Sequence, residues 1–287
     1  MATLYHYCST QTFHSIVNGK SLWLSSLAQS NDHMEGKLLS HAVERLAHAD
    51  GLDSAATLRI QELFTRMENL FDGLGFCLSE EGDLLSQWRG YADDATGFSI
   101  GLDEAYLNWL VESNREEKRH GLNLNSVVYD DDKQDLLVSP TYIEIKRAIE
   151  SGALREPGRR GLLDTRSEEE IAREDEEIRL ASMEIFGKPL SLVRHIYLLK
   201  SSAFREEREW RLVSYYVGAV GDTCSFRAVR GQVVPYRAFD LREIERKPIV
   251  EVVLGPKQQT PVHVVESFLQ QAGFGGVPVT KSKATYR

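Results

Sequence analysis

The run Phe204-Arg205-Glu206-Glu207-Arg208-Glu209-Trp210-Arg211-Leu212 carries the densest chemistry in the chain. Read as a strand from Glu207 to Tyr215, it sets Glu207, Glu209 and Arg211 on one face and Trp210 and Leu212 on the other, because side chains alternate along a strand. Such a face has two readings. It is a solvated ladder of ion pairs, which contributes little to stability, or it lines a cleft where an acidic pair binds a sugar hydroxyl or assists a nucleophile. The second chemical group is His6, within Leu4-Tyr5-His6-Tyr7-Cys8. A histidine in a half-buried opening strand needs partners for its ring nitrogens, and it reads either as a satisfied core residue or as a ligand contact.

Ser86-Gln87-Trp88-Arg89-Gly90-Tyr91-Ala92 puts a tryptophan and a tyrosine near a chain turn. Exposed, they would stack on a flat ring or a base; buried, they are packing residues. Asn31-Asp32-His33-Met34-Glu35 reads most simply as a helix N-cap, with Glu35 closing a capping box on Asp32. A hydrolytic metal site on the same carboxylates would need a third ligand, which the sequence does not place. His14, His41, His48, His120, His195 and His263 give no triad spacing, and there is no Gly-x-Ser-x-Gly elbow. Cys8, Cys77 and Cys224 are few, odd in number and widely spaced, as in the reduced cysteines of a cytosolic protein, and no close pairs of Cys or His suggest zinc.

The elements that must position these groups follow from periodicity. The first strand leads into a helix capped by Ser9 or Thr10, with Phe13, Ile16 and Val17 on its apolar face and Gly19 as its stop, and then into a strand at Leu22-Trp23-Leu24-Ser25. Helices are expected over Asp32–His48 and Asp53–Phe71, a buried strand at Gly75–Ser79, and a short helix or turn at Leu84–Tyr91. A strand at Gly97–Asp103 precedes a helix from Glu104 capped by Asp103, and a further strand is expected over Ser126–Tyr129. Pro140 falls inside the helix expected at about 134–151 and would disturb it. Arg155–Arg160, with Pro157 and Gly158, reads as loop. Ser167 and Glu170 form a capping box for a long charged helix ending near Gly187. Leu190–Ser201 is ambiguous between helix and strand. Strands follow over 209–216, 224–230, 233–239 and 248–254, then a helix over Pro261–Ala272 and a short strand near Val277–Thr280.

Helices dominate the first two thirds of the 287 residues and strands the last third. This order predicts an α+β fold with a mainly antiparallel sheet and flanking helices. A single domain over 1–287 is expected, with a helical insertion at about 134–187. The stretch Gly97 to Gly101 lacks the third glycine of a dinucleotide-binding fingerprint, which argues against a Rossmann fold. The formal net charge of -9 disfavours a general affinity for nucleic-acid backbones. Much of that acidity lies between Ser167 and Glu177. No apolar run reaches the length of a membrane span, and no basic segment followed by an apolar stretch marks a secretory signal, so a cytoplasmic protein without membrane partners is expected.

Taken together, Leu4-Tyr5-His6-Tyr7, Leu22-Trp23-Leu24-Ser25, Asn31-Asp32 with Glu35, Gln87-Trp88 with Tyr91, Gly97-Phe98 with Gly101, Lys200, Glu207-x-Glu209-Trp210-Arg211 and Ile249 to Gly255 resemble an uncharacterised family of bacterial and phage-borne proteins, a domain of unknown function. A more distant resemblance is to the ADP-ribosyltransferases, which use NAD as a substrate. That resemblance implies that His6 and Tyr7 on the first strand and Ser25 on the second contact NAD. Glu209, the second acid of Glu-x-Glu, would be catalytic with Glu207 beside it. Tyr91 or Trp88 would pack on nicotinamide, and Arg211 would shape the pocket. No tyrosine stands on the second strand, where the His-Tyr-Glu class carries one.

The leading expectation is an NAD-dependent ADP-ribosyltransferase-like enzyme, a toxin or antiphage defence effector acting on a nucleic-acid or protein acceptor. One alternative is a non-catalytic interaction protein that engages a protein partner through the acidic helix over 167–186. The other is a metal-dependent nuclease using Asp32, Glu35 and a later glutamate.

Overall fold

The computed structural model describes residues 2–30, 34–117, 121–154, 166–216, 224–229, 231–242 and 244–286. In chain order its elements are β1 (Thr3–Cys8), α1 (Thr10–Gly19), β2 (Ser21–Ser26), α2 (Leu38–Ala49), α3 (Ser54–Leu70), β3 (Asp72–Ser79), α4 (Leu85–Tyr91), β4 (Phe98–Asp103), α5 (Glu104–Glu116) and β5 (Asn123–Ser126). There follow α6 (Asp131–Glu150), α7 (Glu168–Phe186), β6 (Glu209–Tyr216), β7 (Ser225–Val229), β8 (Gln232–Asp240), β9 (Ile249–Leu254), α8 (Val262–Gln271) and β10 (Val279–Lys281). The fold is α+β, with a largely antiparallel sheet and flanking helices. Two units divide the chain: Met1–His33, Asp72–Val127 and Ser201–Arg287 form one, Met34–Phe71 and Val128–Lys200 the other.

The first unit holds every described strand, in the order β10-β9-β4-β1-β3-β2-β8-β7, with β6 on β3 and β5 on β6. Among the described strands only β9 and β10 pair in parallel. The sheet forks at β3. One edge of β3 pairs with β6 along its whole length, from Asp72↔Tyr216 to Ser79↔Glu209. The other edge is shared: β1 meets it at Tyr5↔Ser79, and β2 meets it at Ser25↔Gly75 and Ser26↔Leu74. Phe76, Cys77 and Leu78 lie in the notch between the two branches.

Alternation sets the two faces. Leu4, Leu22, Leu24, Leu74, Phe76, Ile100 and Leu212 share one face and form the main core with Phe13, Ile16 and Val17 of α1, Leu107 and Leu110 of α5 and Leu269 of α8. Each fully buried side chain of this size contributes about 1.5–3 kcal/mol relative to its exposed state. Ser9 caps α1 by accepting from the Thr12 amide, and Asp103 caps α5 by accepting from Ala105. On the opposite face Tyr7, Trp88, Ala92, Ala95 and Val253 form a smaller cluster beneath α4.

The second unit is helical. Ile60, Phe64, Val138, Tyr142 and Ile145 are buried within it. Glu68 of α3 accepts from the Ser40 amide near the start of α2 at 2.9 Å, and Tyr142 donates to Asp50 at 3.0 Å. The Asp32–His48 helix of the sequence reading begins only at Leu38. Gly36 precedes it at φ 76, where a side chain would collide with the Tyr197 ring. The expected cap at Asn31 and Asp32 lies outside the described residues, as do His120 and the loop at 155–160. Pro140 sits inside α6 without ending it. The expected strand Ser126–Tyr129 is instead Asn123–Ser126, and Val128 makes only an isolated bridge to Leu199. The acidic α7 carries the capping box of Ser167 and Glu170, and it exposes an apolar row of Leu180, Met183 and Phe186. No described helix is long and apolar enough to cross a membrane.

Candidate functional site

Glu207, Glu209 and Arg211 are brought together, though not as one strand face. A 3-10 turn over Ser202–Glu207 ends at Arg208, whose φ of 43 is left-handed, and β6 begins only at Glu209. A left-handed non-glycine residue costs about 1–2 kcal/mol, and here it turns the chain so that Glu207 leaves the strand register. Glu207 is nonetheless buried and tied back to β3, its carbonyl accepting from Ser79 Oγ at 2.8 Å.

Glu209 and Arg211 stand opposite Ser79 and Cys77. Arg211 Nε donates to Glu209 Oε1 at 2.7 Å and Nη2 to Oε2 at 2.9 Å. Arg211 is 1% exposed and Glu209 6%, so the pair is desolvated and the solvated-ladder reading fails. Its two parallel bonds are the geometry in which a guanidinium holds a carboxylate most firmly.

Tyr91 links this group to solvent. It lies at the end of α4, is 43% exposed, and donates its hydroxyl to Glu207 Oε1 at 3.1 Å. Trp88, one turn earlier, is fully buried and is no stacking surface. Its Nε1 donates to Asp83 Oδ1 at 2.7 Å, and its ring meets Tyr7 edge-on at 4.8 Å. Tyr7 is occupied in turn, donating to the Glu81 carbonyl at 2.7 Å and accepting from the Leu84 amide at 2.8 Å. Burial, more than any neighbour, raises its pKa. Tyr7 and Trp88 therefore fix the 81–84 loop and α4, and through α4 they position Tyr91.

His6 fills the fork. Its ring stacks on Phe76 at 3.9 Å, and Nδ1 lies 2.8 Å from the Cys77 carbonyl in the notch that neither β1 nor β2 covers. Burial pushes its pKa down to about 4, outweighing the upward pull of that bond. The neutral ring must then donate from Nδ1, leaving Nε2 as an acceptor. Tyr5 pairs with Ser79 and Ser79 with Glu209, so these three share a face and His6 points to the other. The structure thus separates His6 from Glu209. Ser25, through its pairing with Gly75, lies on the Glu209 face, and its Oγ accepts from Arg227 Nη2 at 2.8 Å.

Sequence reasoning missed Asp83, Arg227 and Tyr236. Asp83 had a readable signal, a carboxylate five residues before a tryptophan that needs an acceptor. Arg227 and Tyr236 had none, because strand pairing alone sets them beside Ser25. Among the described residues no cluster of His, Cys, Asp or Glu could hold a metal ion. Glu35 is buried in the helical unit, and Asp32 lies outside the described residues. None of Cys8, Cys77 and Cys224 forms a disulfide. A cavity of about 360 Å³, lined by Leu110, Asn114, Arg237 and Asp240 among others, does not include Glu207 or Glu209.

Residues 87–212 are similar to a family described as Protein of unknown function (DUF2971). That span takes in Tyr91, Glu207, Glu209 and Arg211 and leaves His6 and Ser25 outside. No curated protein and no solved structure matches the chain.

Proposed function

We propose that the chain transfers ADP-ribose from NAD to an acceptor nucleophile. The bond between ribose C1′ and the nicotinamide nitrogen breaks, and its electron pair leaves with nicotinamide. The acceptor bonds to C1′ and releases its proton. The observation that carries the reading is a buried acidic pair, Glu207 and Glu209, joined to solvent by the Tyr91 hydroxyl at 3.1 Å from Glu207.

The ribose gains positive charge as nicotinamide departs. A carboxylate fixed in a water-poor setting stabilises that charge and holds a ribose hydroxyl. Both oxygens of Glu209 receive bonds from Arg211. We assign the ribose contact to Glu207, the acid that the exposed Tyr91 reaches, with Glu209 and Arg211 as positioning residues, which reverses the roles expected from sequence. The exposed Tyr91 ring offers a flat surface for nicotinamide. His6, on the other face, is left with a structural role.

Nicotinamide release from NAD tests the reading, with water, protein and nucleic acid offered as acceptors. Glu207→Gln is expected to slow release on the order of 100-fold with an unchanged melting curve. Tyr91→Phe should lose less, and His6→Asn should stay near wild type after correction for its folded fraction. Release that is unchanged in Glu207→Gln overturns the assignment. A folded wild type that neither binds nor consumes NAD overturns the function.

A further inference from the structure

On the branch formed by β2, β8 and β7, alternation sets Trp23, Ser25, Tyr236 and Arg227 on one face. Trp23, 38% exposed, stacks on Tyr236 with ring centroids 4.6 Å apart. The Arg227 guanidinium lies over the indole, 5.7 Å from its centroid, and donates Nη2 to Ser25 Oγ. Among the described residues its Nε is buried without an acceptor, and no carboxylate lies within ion-pair distance of it. A cation that is partly desolvated and answered only by a hydroxyl is costly unless an anion completes it. Burial is also the main cause that pulls its pKa down. An anion would complete it, and beside it lies an aromatic pair of the kind that stacks on a flat ring.

We propose that Arg227, Ser25, Trp23 and Tyr236 bind a nucleoside phosphate, the guanidinium taking a phosphate oxygen and the indole the base. A guanidinium presents its donors in a fork that matches phosphate. Two sources share this chemistry, a free nucleotide such as NAD and a single-stranded nucleic acid. The net charge of -9 opposes a long phosphate track but not one short-range contact. The inference does not rest on the transfer chemistry.

Calorimetric titration with AMP and NAD, and anisotropy of a short labelled single-stranded oligonucleotide, test it on the full chain. Trp23→Ala should weaken binding at least about five-fold. Arg227→Gln should do the same and lower the salt dependence of oligonucleotide binding by about one phosphate contact. Trp23→Ala should leave that salt dependence unchanged. Binding of AMP and NAD alone assigns the site to a free nucleotide, and binding of the oligonucleotide assigns it to the acceptor. Binding that survives Glu207→Gln but falls in Arg227→Gln separates this site from the proposed catalytic one. The proposal is overturned if none of the three probes binds folded wild type, or if both variants bind as wild type does.

Discussion

Arg211 and Arg227 lie on the same face of the forked sheet, Arg211 on β6 and Arg227 on β7. Arg211 is withdrawn from water and answered in full, with Glu209 taking both Nε and Nη2. Arg227 is half-buried and answered by a serine hydroxyl alone among the described residues, with Nε unpartnered. A protein that buries a charge together with its counter-ion is holding a geometry. One that buries a charge without a counter-ion has left a place for something else. The first arrangement therefore reads as the scaffold of a site and the second as the site for a ligand.

The sharpest way to break this comparison is to remove Arg211. Arg211→Leu leaves Glu209 buried and unpaired, and it should cost about 3–5 kcal/mol, measured from the urea midpoint. Replacing the pair together, as Glu209→Gln/Arg211→Met, should recover most of that loss, because no charge is then stranded. If Arg211→Leu were no worse than the double variant, the pair would not be coupled and Glu209 would lose its role as a positioning residue.

The spacing of Glu209 and Arg211 was legible in the sequence, since two residues apart on a strand means one face. So were the caps at Ser9, Asp103 and Ser167, where an oxygen-bearing side chain precedes an apolar 3.6-residue period. Glu207 was misplaced because the left-handed turn at Arg208 carries no glycine to announce it. The surroundings of His6 were hidden for a different reason. Its partner is a main-chain carbonyl 71 residues away, exposed only because β1 and β2 share one edge of β3. Strand pairing at that separation leaves no trace in local periodicity. The same blindness hid Arg227, while Trp88, left open between a stacking surface and a packing residue, is the packing residue, satisfied by Asp83 close by.

A smaller effect should come from pH, and it tests whether the fork, like the Arg211 pair, is structural. His6 titrates at about 4 in the folded chain against 6.5 when unfolded. The unfolded chain therefore binds more protons in this window, and stability falls as pH drops from about 6.5 toward 4. The shift bounds that loss at about 3 kcal/mol. His195, also lowered to about 4 by burial, adds in the same direction. His6→Phe should cost about 1–3 kcal/mol at pH 7 by removing the bond to the Cys77 carbonyl, yet lose less on acidification than wild type. Urea midpoints at pH 7 and pH 5 measure both. An acid loss identical in the two proteins would show that the His6 ring is not withdrawn from water.

The smallest effect should come from the other arginine, and its smallness is what the comparison requires. Arg227→Leu removes a cation that has no counter-ion among the described residues, together with one bond to Ser25 and a place over the Trp23 indole. The desolvation penalty relieved offsets the hydrogen bond lost, so the urea midpoint should move by less than about 1 kcal/mol in either direction. Ligand then separates the two arginines further. A nucleotide that binds only the folded state raises the midpoint with concentration. Saturating AMP should therefore stabilise the wild type and Arg211→Leu alike, and it should stabilise Arg227→Leu less. A large destabilisation by Arg227→Leu without ligand would mean that Arg227 is a scaffold residue too, and the distinction between the two branches would collapse.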